Sequence, residues 1–125
     1  MRFNNERPIF AQIIDLLVED LLAGKLEPGA RLPSARELAA SLEVNPNTAA
    51  RALQGLADSG VARCERGMGY FVADGAIELA GAERRRRFFD EELPRVFKIM
   101  DEIGATPADI QEQYAAFKAL KGGSA

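Results

Sequence analysis

Asn45-Pro46-Asn47-Thr48, at the head of an alanine-rich stretch that ends at Gly60, carries the chain's most distinctive chemistry. Amide and hydroxyl side chains both donate and accept hydrogen bonds. A helix N-terminus adds unpaired N–H groups and partial positive charge. Such a front end can meet phosphate oxygens or base edges, and it is also what ordinary capping looks like. Arg51 and Gln54 fall four and seven residues beyond Asn47, on the same helical face. The inventory for bond-making chemistry is poor by contrast. With no histidine and a single cysteine, Cys64, the chain lacks structural-zinc ligands and the commonest general acid–base residue. The cluster Gly67-Met68-Gly69 is too short for a phosphate loop. Neither an enzyme nor a metal or cofactor protein is expected.

These side chains need elements to hold them. Pro8 suits the first position of a helix in which Ile9, Ile13, Leu16, Leu17 and Leu21 recur at helical spacing, with Gly24 as the stop. Pro28-Gly29 marks a turn, and Arg31-Leu32 adds a very short strand. Ser34-Ala35-Arg36-Glu37 reads as a capping box opening a helix to about Leu42, which buries Leu38, Ala39 and Leu42. Glu43 to Asn45 separates it from the next helix, capped by Asn45, begun by Pro46 and ended by Gly60. Two helices joined so tightly make a helix-turn-helix. Val61 to Glu65 and Tyr70 to Ala73 follow as short strands around Arg66-Gly67-Met68-Gly69. The fold class is mainly α with a small β wing: a winged helix-turn-helix over residues 1–75, then two C-terminal α-helices over 76–121. Residues 122–125 read as a disordered tail. Phe88, Phe89, Leu93, Val96, Phe97, Met100 and Ile103 line the first of these helices, broken or kinked at Pro94. Thr106 caps the last, where Ile110, Tyr114 and Phe117 share a face. That is more apolar surface than two lone helices can bury, which marks a dimer interface.

Between residues 8 and 73 the chain resembles the GntR family of bacterial transcription regulators. The resemblance is carried by Pro8-Ile9-Phe10, Gly29-Ala30-Arg31-Leu32-Pro33-Ser34 and Arg36-Glu37-Leu38-Ala39. It continues through Val44-Asn45-Pro46-Asn47-Thr48, Leu53, Leu56, Gly60 and Arg66-Gly67-Met68-Gly69-Tyr70-Phe71-Val72. Phe88-Phe89-Asp90-Glu91-Glu92-Leu93-Pro94 looks like the YtrA subfamily, whose two C-terminal helices serve dimerisation. The resemblance implies a homodimer that binds a pseudo-palindromic double-stranded DNA operator, usually as a repressor. Asn45, Pro46, Asn47 and Thr48 would then enter the major groove at the front of the recognition helix, with Ala49 and Ala50 keeping it thin. An Asn amide reads adenine bidentately, and Thr48 suits a phosphate or a thymine methyl. Some family members carry arginine at the positions of Pro46 and Ala50.

Arg36 is then a base or phosphate contact, Arg51 a phosphate clamp, and Arg66 a minor-groove or backbone contact that Gly67 lets approach closely. The net charge of −3 speaks against a nucleic-acid partner. Residues 31–73, however, hold five basic side chains against four acidic ones, 5 − 4 = +1. Within a Debye length of about 8 Å the local field outweighs the total. Arg84-Arg85-Arg86-Arg87 reads as a solvated face with Glu83–Arg87, Arg86–Asp90 and Arg87–Glu91 pairs, and Cys64 as a small buried hydrophobe. No apolar run reaches the roughly 20 residues of a membrane span, and the start lacks a secretory signal, so a cytoplasmic protein is expected. Two other readings stay open. One is a small-molecule sensor with an effector pocket lined by the C-terminal aromatics. The other is a winged helix used as a protein-interaction module.

Overall fold

The computed structural model describes residues 3–123, and the chain divides between Arg84 and Arg85 into two compact units. In the first unit, α1 (Ile9–Leu22) follows Pro8, which occupies the N-cap rather than the first helical position. Ile13, Leu17 and Leu21 point into the core, and Leu16 is half-buried. α2 (Ala35–Leu42) opens on the predicted capping box. The Glu37 N–H donates to Ser34 Oγ and the Ser34 N–H to Glu37 Oε1, both at 3.0 Å. The Ser34 N–H first, and then the Ser34 hydroxyl, hold the Glu37 carboxyl below the usual carboxylate range, with Arg31 adding to the effect. Leu38 and Ala39 are buried as predicted, whereas Leu42, at the helix end, is only half-covered.

Glu43 reverses the chain between the two helices of the motif. Its φ of +55° puts it in the left-handed region, and among the described residues no other non-glycine has a positive φ. α3 (Pro46–Asp58) then turns Ala49, Ala52, Leu53 and Leu56 inward. Ala49 therefore does not thin the exposed face. It is fully buried, and its small size allows α3 to sit close on the core, while Ala50 alone of the pair is exposed.

β1 (Ala62–Glu65) pairs antiparallel with β2 (Gly69–Val72) in the register Ala62↔Val72 to Glu65↔Gly69. On the other edge of β2 the predicted short strand appears as an isolated bridge, Arg31↔Phe71. The Leu32 N–H to Tyr70 carbonyl and Val72 N–H to Ala30 carbonyl bonds, both 2.8 Å, flank it. α4 (Ala76–Arg87) starts where the sequence predicts, but its first turns belong to the winged-helix core. Ala76 and Ala80, one turn apart, are buried with Val72 and Leu56. The first unit thus runs past residue 75 to Arg84.

In the second unit the stretch Phe88–Glu92 is π-helical, with the Leu93 N–H bonded to the Phe88 carbonyl five residues back. Pro94 explains it. Proline has no N–H and its ring collides with the carbonyl four residues earlier, so a wider turn relieves both problems. The predicted kink takes this form, after which α5 (Leu93–Ile103) continues. The wider turn also shifts the ion pairs. Arg86 does reach Asp90, at 3.7 Å, but it meets Glu91 at 3.0 Å, and Arg87 meets Glu92 at 3.2 Å rather than Glu91. Gly104, at φ +74°, ends α5. Thr106 and Asp109 then cap α6 (Pro107–Gly123) reciprocally. The helix carries Gly122 and Gly123, two residues of the predicted tail, and Ser124-Ala125 lies outside the described residues. Among the described residues of this unit none is buried: Phe97 is 53 %, Ile103 73 % and Leu120 81 % exposed. No helix among the described residues is long and apolar enough to cross a membrane.

Candidate nucleic-acid interface

The polar front of α3 is built by its own cap. Asn45, extended at φ −64° and ψ 134°, accepts the Asn47 N–H on Oδ1 at 2.8 Å. Its oxygen is thereby committed to the helix, so Asn45 serves the front chiefly by fixing its geometry. Pro46 stands exposed at the first helical position, where its missing N–H costs nothing. Asn47 is exposed, and its side-chain amide has no hydrogen bond among the described residues. It can offer donor and acceptor together to a base edge. Thr48 is half-buried one position on.

The cations sort into two groups. Arg31 lies 3.9 Å from Glu37 and Arg63 2.9 Å from Glu65, so two positive charges are spent on two of the acidic residues nearby. Arg36 on α2, Arg51 on α3 and Arg66 in the wing turn are exposed and have no carboxylate partner among the described residues. Arg51 stacks on the Phe10 ring at 4.0 Å from its centroid. A guanidinium held by its face keeps its in-plane N–H edge for an anion.

The wing turn is closed by the Met68 N–H donating to the Glu65 carbonyl at 2.9 Å, with Gly67 at φ +76°. Nothing lies within 4 Å of where a Gly67 Cβ would stand, so glycine is needed there for its backbone angle. At Gly69 the angle again calls for glycine, with φ at +113°, and space is tight as well, since a Cβ would meet Arg31 Nε at 3.3 Å. Arg31 Nε also donates to the Met68 carbonyl at 3.1 Å. Arg31, which the sequence marks only as a strand residue, is thus a brace beneath the turn. Gln54, which the sequence places only on the face of Asn47, has its amide bonded to Tyr70 and Asp58. Cys64 is exposed, not buried: it pairs with Tyr70 near the ribbon tip, away from the core that covers Ala62. No spacing in the sequence announces these cross-element contacts.

Comparison with known proteins agrees with this geometry. The family described as "Bacterial regulatory proteins, gntR family" matches residues 10–72. The chain is 34% identical to the uncharacterized HTH-type transcriptional regulator YhcF of Bacillus subtilis, over 93% of this chain and 94% of that protein. It is 41% identical to the HTH-type transcriptional repressor YtrA of the same organism, over 55% of this chain and 53% of that one. A solved GntR family transcriptional regulator from Listeria monocytogenes superposes with a TM-score of 0.74 at 27% identity, covering 91% of this chain and 98% of that chain.

Proposed function

Because the chain belongs to the GntR family of bacterial regulatory proteins, we propose that this DNA-binding transcriptional regulator is a cytoplasmic repressor that grips a pseudo-palindromic operator as a homodimer. The observation that carries the reading is the set of unpaired cations around a polar helix front. Among the described residues Arg36, Arg51 and Arg66 stand without carboxylate partners, while the neighbouring Arg31 and Arg63 each lie beside one. A protein-interaction module has no need of that division.

In this reading α3 enters the major groove and Asn47 reads a base there, with Thr48 beside it on phosphate or methyl. Arg36 and Arg51 fix the register on the backbone, and Arg66 anchors the wing to a neighbouring phosphate or the minor groove. The uncovered apolar side chains of α5 and α6, Phe97, Ile103 and Phe117 among them, support pairing with a second copy. The repressor assignment leans on the similarity to YtrA.

Binding to duplex DNA across a salt series tests this. Each phosphate contact contributes a slope of about −0.9 in log affinity against log salt. Arg66→Ala is expected to flatten the slope by about one such unit and to weaken specific and unrelated duplexes alike. Salt-independent binding, or none, would return the fold to the protein-interaction reading.

A further inference from the structure

Tyr70, half-buried in β2, donates its hydroxyl to Gln54 Oε1 on α3 at 3.0 Å. One helical turn further on, Gln54 Nε2 donates to Asp58 Oδ1 at 2.9 Å. The second bond fixes the sense of the first. An ionised carboxylate only accepts, so Asp58 must face the NH₂ end of the amide, which leaves the oxygen for the Tyr70 proton. Turning the amide round would set two oxygens against each other at Asp58 and take this acceptor away from the Tyr70 proton. Burial first, then the neighbouring Cys64 and Asp58, hold the Tyr70 pKa above its ordinary value. The hydroxyl therefore remains a donor across the physiological range.

The wing needs such a tie. Its two strands have four residues each, and a two-stranded ribbon is marginal by itself. Arg31 braces the turn through the Met68 carbonyl and its bridge to Phe71, but both contacts run to the segment before α2. Among the described side chains, the Tyr70–Gln54 bond joins the wing to the helix whose front carries Asn47.

We infer that Tyr70 and Gln54 are a positioning pair, fixing the wing and its Arg66 at a set distance from the recognition helix so that one duplex meets both. Gln54, on the same face as Asn47 and Arg51, is in consequence a strut and not a reader of bases. The inference rests on the proposed placement of the wing on DNA.

The test is a double-mutant cycle on an operator selected from genomic fragments, using Tyr70→Phe, Arg66→Ala and the double variant of the full chain. Tyr70→Phe keeps the ring and removes only the hydroxyl, and should weaken operator binding roughly three- to tenfold. With Arg66 already alanine the same change should cost less than about twofold, because the strut then has no wing cation to place. In free Tyr70→Phe protein, the amides of residues 66–68 should exchange with solvent faster while those of α1 stay unchanged. Equal losses in both backgrounds, or none, would overturn the inference while leaving the DNA reading intact. An Arg66→Ala variant with unchanged affinity and salt slope would instead remove the wing from the DNA, and the inference with it. Gln54→Ala provides the remaining arm. It should match Tyr70→Phe in size and leave base preference unchanged, and a relaxed preference at one operator position would make Gln54 a reader after all.

Discussion

Replacing Phe97 by aspartate strikes the proposed dimer where its effect can be worked out. A phenylalanine side chain carries about 200 Å² of surface. At 53 % exposure roughly 100 Å² of Phe97 remains to be covered. At about 25 cal/mol per Å² that is about 2.5 kcal/mol, counted once per copy in a symmetric dimer, or about 5 kcal/mol in all. Leaving two carboxylates in the interface adds to the penalty. The dimer dissociation constant is expected to rise by at least about 10³. Operator affinity should fall with it, because a second half-site bound intramolecularly contributes a factor of about 10²–10⁴. The isolated unit loses little, since aspartate replaces a side chain already facing solvent, so circular dichroism should report an unchanged helical fold. Sedimentation velocity over a concentration series gives the dimer constant, and gel-shift titration gives operator affinity. A Phe97→Asp protein that stays dimeric and binds its operator as before would refute the interface. So would a parent protein that is monomeric at every concentration.

Three further outcomes follow from the first unit. Asn47→Ala should cost about 1–3 kcal/mol on the specific operator and little on a scrambled duplex, and equal losses by fluorescence anisotropy would reassign Asn47 to positioning. Glu43→Gly should stabilise the fold by about 0.5–1 kcal/mol: a left-handed non-glycine residue costs about 1–2 kcal/mol, partly offset by the extra freedom glycine has when unfolded. A lowered thermal midpoint would mean that the Glu43 side chain stabilises the turn by more than its backbone strains it. The Glu37 carboxyl, depressed by its bonds from Ser34, contributes stability that is complete above its unfolded pKa and lost as pH falls through its folded one. Ser34→Ala should therefore destabilise the protein at neutral pH and flatten the acid limb of its melting curve, and an unchanged acid limb would discount the capping box.

Local signals in the sequence were legible wherever neighbouring residues suffice. The Ser34–Glu37 box, the Asn45–Pro46 start and the Thr106 cap all appear where short-range hydrogen bonding demands them. The elements of the wing were likewise readable to within a residue from glycine and strand-forming runs. What escaped depends on partners distant in sequence. Ala49 is a core residue because α3 lies on buried side chains of α1 and α2, which its own composition does not reveal. Ala76 and Ala80 extend the first unit for the same reason. Gln54 kept its helical face, but Tyr70, sixteen residues on, claimed its amide. Arg87 found Glu92 because the turn between them is wider than an α-helix.

That wider turn fixes the phase of everything downstream of it. A π-helical turn holds one residue more than the α-helical turn it replaces, and each residue of an α-helix rotates the chain by about 100°. Phe88–Glu92 thus absorbs one extra residue within a turn, and α5 leaves it with Val96, Phe97 and Met100 facing nearly as they would after an α-helical turn one residue shorter. Deleting Asp90 would let an α-helical turn replace the wide one and keep that facing, whereas deleting Arg95, inside α5, would alter no apolar side chain yet turn the stripe beyond it by about a quarter of a circle. A sister protein with one residue fewer within α5 itself would carry the same apolar composition on a mismatched face. Two such proteins in one cell would be kept from forming mixed pairs by a count of residues, without any change in hydrophobicity or charge.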